Sequence, residues 1–227
     1  MTSDPRIYGL AFLGGVIPAL LWLWFWLQEE RQKTEPRGLL ALCFVAGMIA
    51  VLFVLPVEKF IQNIVSSSGG QIILWAAAEE IMKYLAVLII LYKTTYVDEP
   101  IDWPILMITA ALGFAALENT LFLLKPLSLG QVTVGLLTGQ LRFLGSTLLH
   151  AVSSATIGVS LGLTFHMQAR ARKWYLLVGV IIAIALHSLF NFFIMENSGS
   201  NFLEVLAFLW VVTIIIMLIF EKLRRMN

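Results

Sequence analysis

Apolar runs recur along nearly the whole of this chain, each about 20 residues long, enough to carry a helix across the hydrocarbon core of a bilayer. Seven can be drawn: Ile7 to Leu27, Leu39 to Leu55, Gln71 to Tyr92, Trp103 to Leu124, Leu141 to Phe165, Trp174 to Met195 and Phe202 to Phe220. In lipid every backbone N–H and C=O must be satisfied within the protein, so runs of this length predict helices rather than barrel strands. Only 13% of the 227 residues are charged, about half the share in a soluble domain, and no stretch is left over for one. The prediction is an all-α polytopic bundle of about seven transmembrane helices, forming a single integral-membrane domain over residues 1–227. The first run lacks a basic n-region and a small-residue cleavage site, so it reads as a retained helix. Val57 to Ser68 is mixed in polarity and predicts a short interfacial helix or loop. Ser66-Ser67-Ser68-Gly69-Gly70 predicts a break before the third span. A net charge of +1 argues against a nucleic-acid partner, and the lone Cys43 excludes an internal disulfide or a cysteine-based metal cluster.

Loop charges set the expected orientation. Arg31, Lys33 and Arg37, then Lys93, then Arg170, Arg172 and Lys173, then Lys222, Arg224 and Arg225 occupy alternate connections and the tail. Basic loops stay cytoplasmic, which predicts an outside N-terminus, a cytoplasmic C-terminus and an odd number of spans. Trp22, Trp24, Trp26, Tyr92, Trp103 and Trp174 fall near the predicted inner boundary, as an aromatic belt would.

Against this apolar background, Glu79, Glu80 and Lys83 stand out on the third span. Each charge near the centre of a spanning helix costs about 2.5–3.5 kcal/mol on insertion scales. Lys83 is four residues after Glu79 and three after Glu80, within reach of either carboxylate. The two carboxylates point about 100° apart, so one can face a cavity while the other ties helices together. At a rise of 1.5 Å per residue, Glu79, Glu80, Glu118, His150 and His187 all fall roughly 9–14 Å below the predicted outer surface. Four helices thus contribute to one polar layer in the outer half of the membrane.

The other members of the layer each have a structural reading too. Glu118-Asn119 follows the small-residue run Leu112-Gly113-Phe114-Ala115-Ala116-Leu117, and Glu118 suits a cation such as Lys83 or a histidine. Arg142, Ser146, His150 and Ser154 recur every four residues, and Ser154, Gly158 and Gly162 continue as a small-residue packing stripe. Arg142 near the outer end can snorkel to the interface. His187 and Asn191 share a helix face and offer donors suited to a developing oxyanion; interhelical hydrogen bonding is the structural alternative. There is no Gly-x-Ser-x-Gly, no His-Glu-x-x-His and no pair of membrane aspartates. A glutamate general base acting on water is the chemistry that remains. The sequence leaves the choice of base open, with a slight preference for Glu79 because it shares a face with Trp75 and Lys83.

Glu79-Glu80-x-x-Lys83, the Leu112 to Asn119 run, Arg142 with His150, His187-x-x-x-Asn191 and Glu35-Pro36 in the first loop follow one another as in the PrsW family of bacterial intramembrane proteases, which this chain resembles. That family is related to the type II CAAX prenyl endopeptidases, whose more usual Glu-Glu-x-x-x-Arg contrasts with Lys83 here. The resemblance implies a metal-independent glutamic protease in the bacterial plasma membrane, with no cofactor. Glu79 and Glu80 would be its essential carboxylates, His150 would assist the water, and His187 with Asn191 would bind the oxyanion. Lys83, Glu118, Asn119 and Arg142 would support them. The implied partners are membrane lipid and a single-span, anti-sigma-factor-like substrate, cut near its extracytoplasmic face as the first step of envelope-stress signalling. Two other readings stand beside it. One is a zinc protease with Glu79 or Glu80, His150 and His187 as ligands. The other is a non-catalytic scaffold or proton-coupled transporter using the same charges.

Overall fold

The structure, a computed structural model, describes residues 4–28, 35–92, 94–196 and 202–226. Arg31, Lys33 and Lys93, which carry part of the orientation argument, lie outside the described residues. The helices are α1 (Pro5–Leu27), α2 (Arg37–Ile64), α3 (Ser68–Leu91), α4 (Asp102–Ser128), α5 (Val132–Leu141), α6 (Thr147–Leu163), α7 (Ala169–Glu196) and α8 (Phe202–Arg224). A π-helical turn, Arg142–Ser146, joins α5 to α6 without a break. Among the described residues, six helical stretches, one of them the joined α5–α6 unit, are long and apolar enough to cross a membrane. The seventh expected span, α3, has 24 residues and carries the three charges. The architecture is the expected polytopic helical bundle.

Two helix boundaries differ from expectation. The stretch expected to leave the helical pattern at Val57 instead continues α2 to Ile64, and only residues 65–67 separate it from α3. Glu58, Lys59 and Gln62 are good helix formers, so their polarity did not signal a helix end. Ser67 then caps α3, its Oγ accepting from the Gly70 N–H. The helix expected from Leu141 begins nine residues earlier, at Val132.

α4 is the hub. Its face from Asp102 to Ala116 is buried throughout, and α1, α2 and α6 pack against it. Small residues permit the close approach. A Cβ on Gly47 of α2 would lie 1.9 Å from the Ala110 carbonyl oxygen, and one on Gly113 of α4 would lie 1.9 Å from that of Phe44. The two glycines thus face each other's backbones across one crossing. Gly158 of α6 sits against Pro104 in the same way, at 2.3 Å, which bears out the small-residue stripe. Outward positions such as Leu10, Leu52, Phe53, Ile89 and Leu218 are exposed and apolar, as a lipid-facing surface requires.

The aromatic belt is only partly present. Trp24, Tyr92 and Trp174 are exposed, but Trp22, Trp26 and Trp103 are buried. Trp22 donates from Nε1 to the Phe143 carbonyl at 3.0 Å, and Trp26 packs on Phe220. Hydropathy near a span end does not distinguish a ring facing headgroups from one facing a neighbouring helix.

Candidate active site

Adjacent positions on α3 give the two glutamates different surroundings. Glu80 is fully buried. Its Oε1 accepts from Lys83 Nζ and from His187 Nδ1, each at 2.8 Å, and its Oε2 accepts from Ser154 Oγ at 2.6 Å. Glu80 therefore ties α3 to α6 and α7. Glu79 is turned toward a cavity. Its Oε2 lies 3.5 Å from Lys83 Nζ and 3.7 Å from both His150 Nδ1 and His187 Nε2. The roughly 100° rotation between neighbouring helix positions separates an anchoring carboxylate from one that borders the cavity.

Lys83 is wholly buried and uses all three of its donors, toward Glu80, toward Glu79 and toward His150 Nδ1 at 2.8 Å. The Phe114 ring covers it, 4.5 Å from the ammonium. With Nδ1 accepting, His150 carries its proton on Nε2, which donates to Glu118 Oε2 at 3.0 Å. Glu118 is in turn paired with Arg142, not with Lys83. Arg142 does not snorkel. Its Nε reaches the Asn119 side-chain oxygen, and its guanidinium stacks on Phe122 at 3.9 Å. Asn119 passes the chain on to Thr147 Oγ1 at 2.9 Å. The π turn holds Arg142 at the head of α6, where this pairing is possible.

All four supporting residues thus join one network running from Lys83 through His150 and Glu118 to Arg142 and Asn119. Breaking it at Arg142 leaves Glu118 and the Asn119 oxygen without their cation. Arg142→Gln is expected to lower stability by about 2 kcal/mol, read as a fall in the melting temperature of the detergent-solubilised protein. Arg142→Lys should recover only part of the loss, because an ammonium cannot bond both partners through a planar fork.

The cavity has a volume of about 660 Å³. Glu79, His150, His187, Asn191, Glu118 and Arg142 line it, whereas Glu80, Lys83 and Asn119 lie behind its wall. The walls come from the later parts of α2, α4 and α7 and the early parts of α3 and α6. In an up-and-down bundle this places the cavity toward one end, the end opposite the Arg170–Lys173 cluster and the basic tail.

Sequence reasoning missed two participants. Ser154, read as a packing residue, donates to Glu80. Glu58 of α2 lines the same cavity as Glu79. It sits in the stretch expected to be interfacial. Val51, Val54, Glu58 and Ile61 share a 3–4 spacing whose apolar members are buried, and that continued periodicity was the available signal.

The donors also suit a metal. Ligand atoms of Glu79, His150 and His187 lie within 4.8 Å of one another, and tetrahedral zinc holds such atoms about 3.3–3.5 Å apart. Glu118 and Glu80 grip the far nitrogens of the two imidazoles, as carboxylates do behind metal-ligating histidines. The donor set fits a divalent ion in type, number and spacing, but Lys83 already engages two of its three members.

A profile described as the PrsW family intramembrane metalloprotease matches residues 35–220. The chain belongs to the PrsW family. It is 26% identical over 202 residues to Protease PrsW of Geobacillus kaustophilus, covering 86% of each chain. It is 27% identical to that of Oceanobacillus iheyensis over 222 residues, covering 94% of each, and 22% identical to that of Bacillus subtilis over 201 residues, covering 86% of this chain and 88% of the relative. No solved structure matches. The protein is accordingly a multi-pass peptidase of the bacterial cell membrane. The transporter and scaffold readings give way to the family assignment.

Proposed function

We propose that this PrsW-family protein is a glutamic intramembrane endopeptidase in which Glu79 takes the proton from the attacking water. The observation that carries the reading is the division of labour on α3. Glu80 is saturated by Lys83, His187 and Ser154, whereas Glu79 borders a cavity large enough for an extended peptide segment. Lys83 stands 3.5 Å from the Glu79 carboxylate as its cationic partner. His187 and Asn191 share the facing wall and would hold the carbonyl oxygen as it becomes an oxyanion. Donation from His187 Nε2 requires a proton there in addition to the one that Nδ1 directs at Glu80. His150, with one nitrogen on Lys83 and the other on Glu118, assists by holding Lys83 in place.

The basic loops put the N-terminus outside and the C-terminus in the cytoplasm, so the cavity end of the bundle is extracytoplasmic. The substrate is then a single-span membrane protein, cut near its outer face. The family resemblance suggests an anti-sigma factor cleaved at its first site in envelope-stress signalling.

A zinc-dependent reaction is favoured by one observation, the fit of the donor set. Glu79, His150 and His187 would hold the ion, and a metal bound there lowers the pKa of a coordinated water and polarises a carbonyl. Purified protein in liposomes, given a tagged single-span anti-sigma substrate, tests both readings. We expect a cut on the extracytoplasmic side, located by product mass, that persists after chelation and dialysis. Loss of cleavage on chelation with recovery on adding zinc would replace the glutamate-base mechanism. A cut on the cytoplasmic side would overturn the orientation.

A further inference from the structure

We propose that Lys83 is a tethered cation that holds the place of a metal ion, so that a latent His2Glu metal site opens when the ammonium is removed. The three candidate ligand atoms are brought together around Glu79 Oε2, and Lys83 Nζ bonds two of the three ligand residues. It takes the Nδ1 lone pair of His150 at 2.8 Å and lies 3.5 Å from Glu79 Oε2. A metal bond to His150 Nδ1 would need that same lone pair, because Nε2 is committed to Glu118 at 3.0 Å. A dication held about 2.0–2.2 Å from these donors would also sit close to a buried ammonium, with little solvent to screen the repulsion.

The alternative of Lys83 swinging aside is opposed by its surroundings. Its side chain is wholly buried, its third donor is fixed on Glu80 at 2.8 Å, and Phe114 closes the remaining side. The site thus has the ligands and outer carboxylates of a metal centre, with the positive charge supplied covalently by the chain. This geometry is independent of what the protein cuts.

Metal binding without substrate tests it. Wild type, Lys83→Met and Lys83→Met/His187→Ala are purified in detergent, stripped with chelator and titrated with cobalt(II). The visible bands of a low-coordinate cobalt site report binding, and elemental analysis after zinc dialysis gives stoichiometry. Lys83→Met is expected to bind one ion at least about a hundredfold more tightly than wild type, and the double variant is expected to lose that gain. Methionine leaves Glu80 without its cation, so Lys83→Met/Glu80→Gln, which removes both charges, serves if the single variant does not fold. Wild type binding one ion as tightly as the lysine-free protein would overturn the proposal. So would failure of every folded lysine-free variant to bind.

Discussion

Glu79→Gln yields a folded protein that no longer cuts its substrate. Glutamine keeps the shape of the side chain and its place on the cavity wall, but it cannot accept a proton from water. General-base groups contribute about 10²–10⁴-fold to rate, so the turnover of the variant should fall by at least that factor. Its melting temperature should barely move, because the Glu79 contacts with Lys83, His150 and His187 are long, at 3.5–3.7 Å. Glu80→Gln makes the contrast. It too should be inactive, but it should also be less stable, since Glu80 receives short hydrogen bonds from residues of α3, α6 and α7. Replacing one member of a buried charged pair costs about 3–5 kcal/mol. Cleavage assays paired with thermal melts separate the two outcomes. A Glu79→Gln variant that cuts at the wild-type rate would sink the glutamate-base mechanism.

Gly47→Ala should disrupt the bundle, although the same change in an open helix stabilises by about 1 kcal/mol. The added methyl would stand 1.9 Å from the Ala110 carbonyl oxygen and 2.7 Å from its carbon. Backbone atoms cannot turn away as side chains do, so α2 must separate from α4. Overpacking typically costs about 1–3 kcal/mol, and a clash with main chain at a glycine-to-glycine crossing belongs at or above the upper end. Because α2 also carries Glu58 and one cavity wall, activity should fall with stability. Gly38→Ala is the internal control. It lies on the same helix with nothing within 4 Å of the new methyl, and it should be neutral or slightly stabilising. Melting temperatures in detergent decide the sign at each position.

Much of the site is legible in the sequence. Charged residues are costly in lipid, so Glu79, Glu80, Lys83, Glu118, His150 and His187 were conspicuous in the apolar runs. The constant rise per residue then placed most of them at one depth. The pairing among them was not legible. Lys83 and Arg142 are both plausible partners for Glu118, and only the rotation of α4 against α6 and the π turn assigns Arg142. Glu58 is not legible because polarity at Val57 to Ser68 mimics a helix end, while α2 runs on to Ile64 and carries that residue to the cavity wall. The buried Trp22, Trp26 and Trp103 were misplaced because hydropathy reports distance along the chain and not direction around a helix.

The sequence by itself determined that this is a polytopic helical membrane protein of the PrsW family with a layer of carboxylates and histidines. Those properties follow from hydropathy, residue spacing and motif order, all read along one dimension. Tertiary structure alone decided which glutamate of the adjacent pair faces the cavity. The two differ by a 100° rotation about α3, and that rotation is set by how the helix rolls against α2, α6 and α7. Packing of α3 against α2, α4, α6 and α7 buries Glu80 in a closed set of bonds and leaves Glu79 against the cavity.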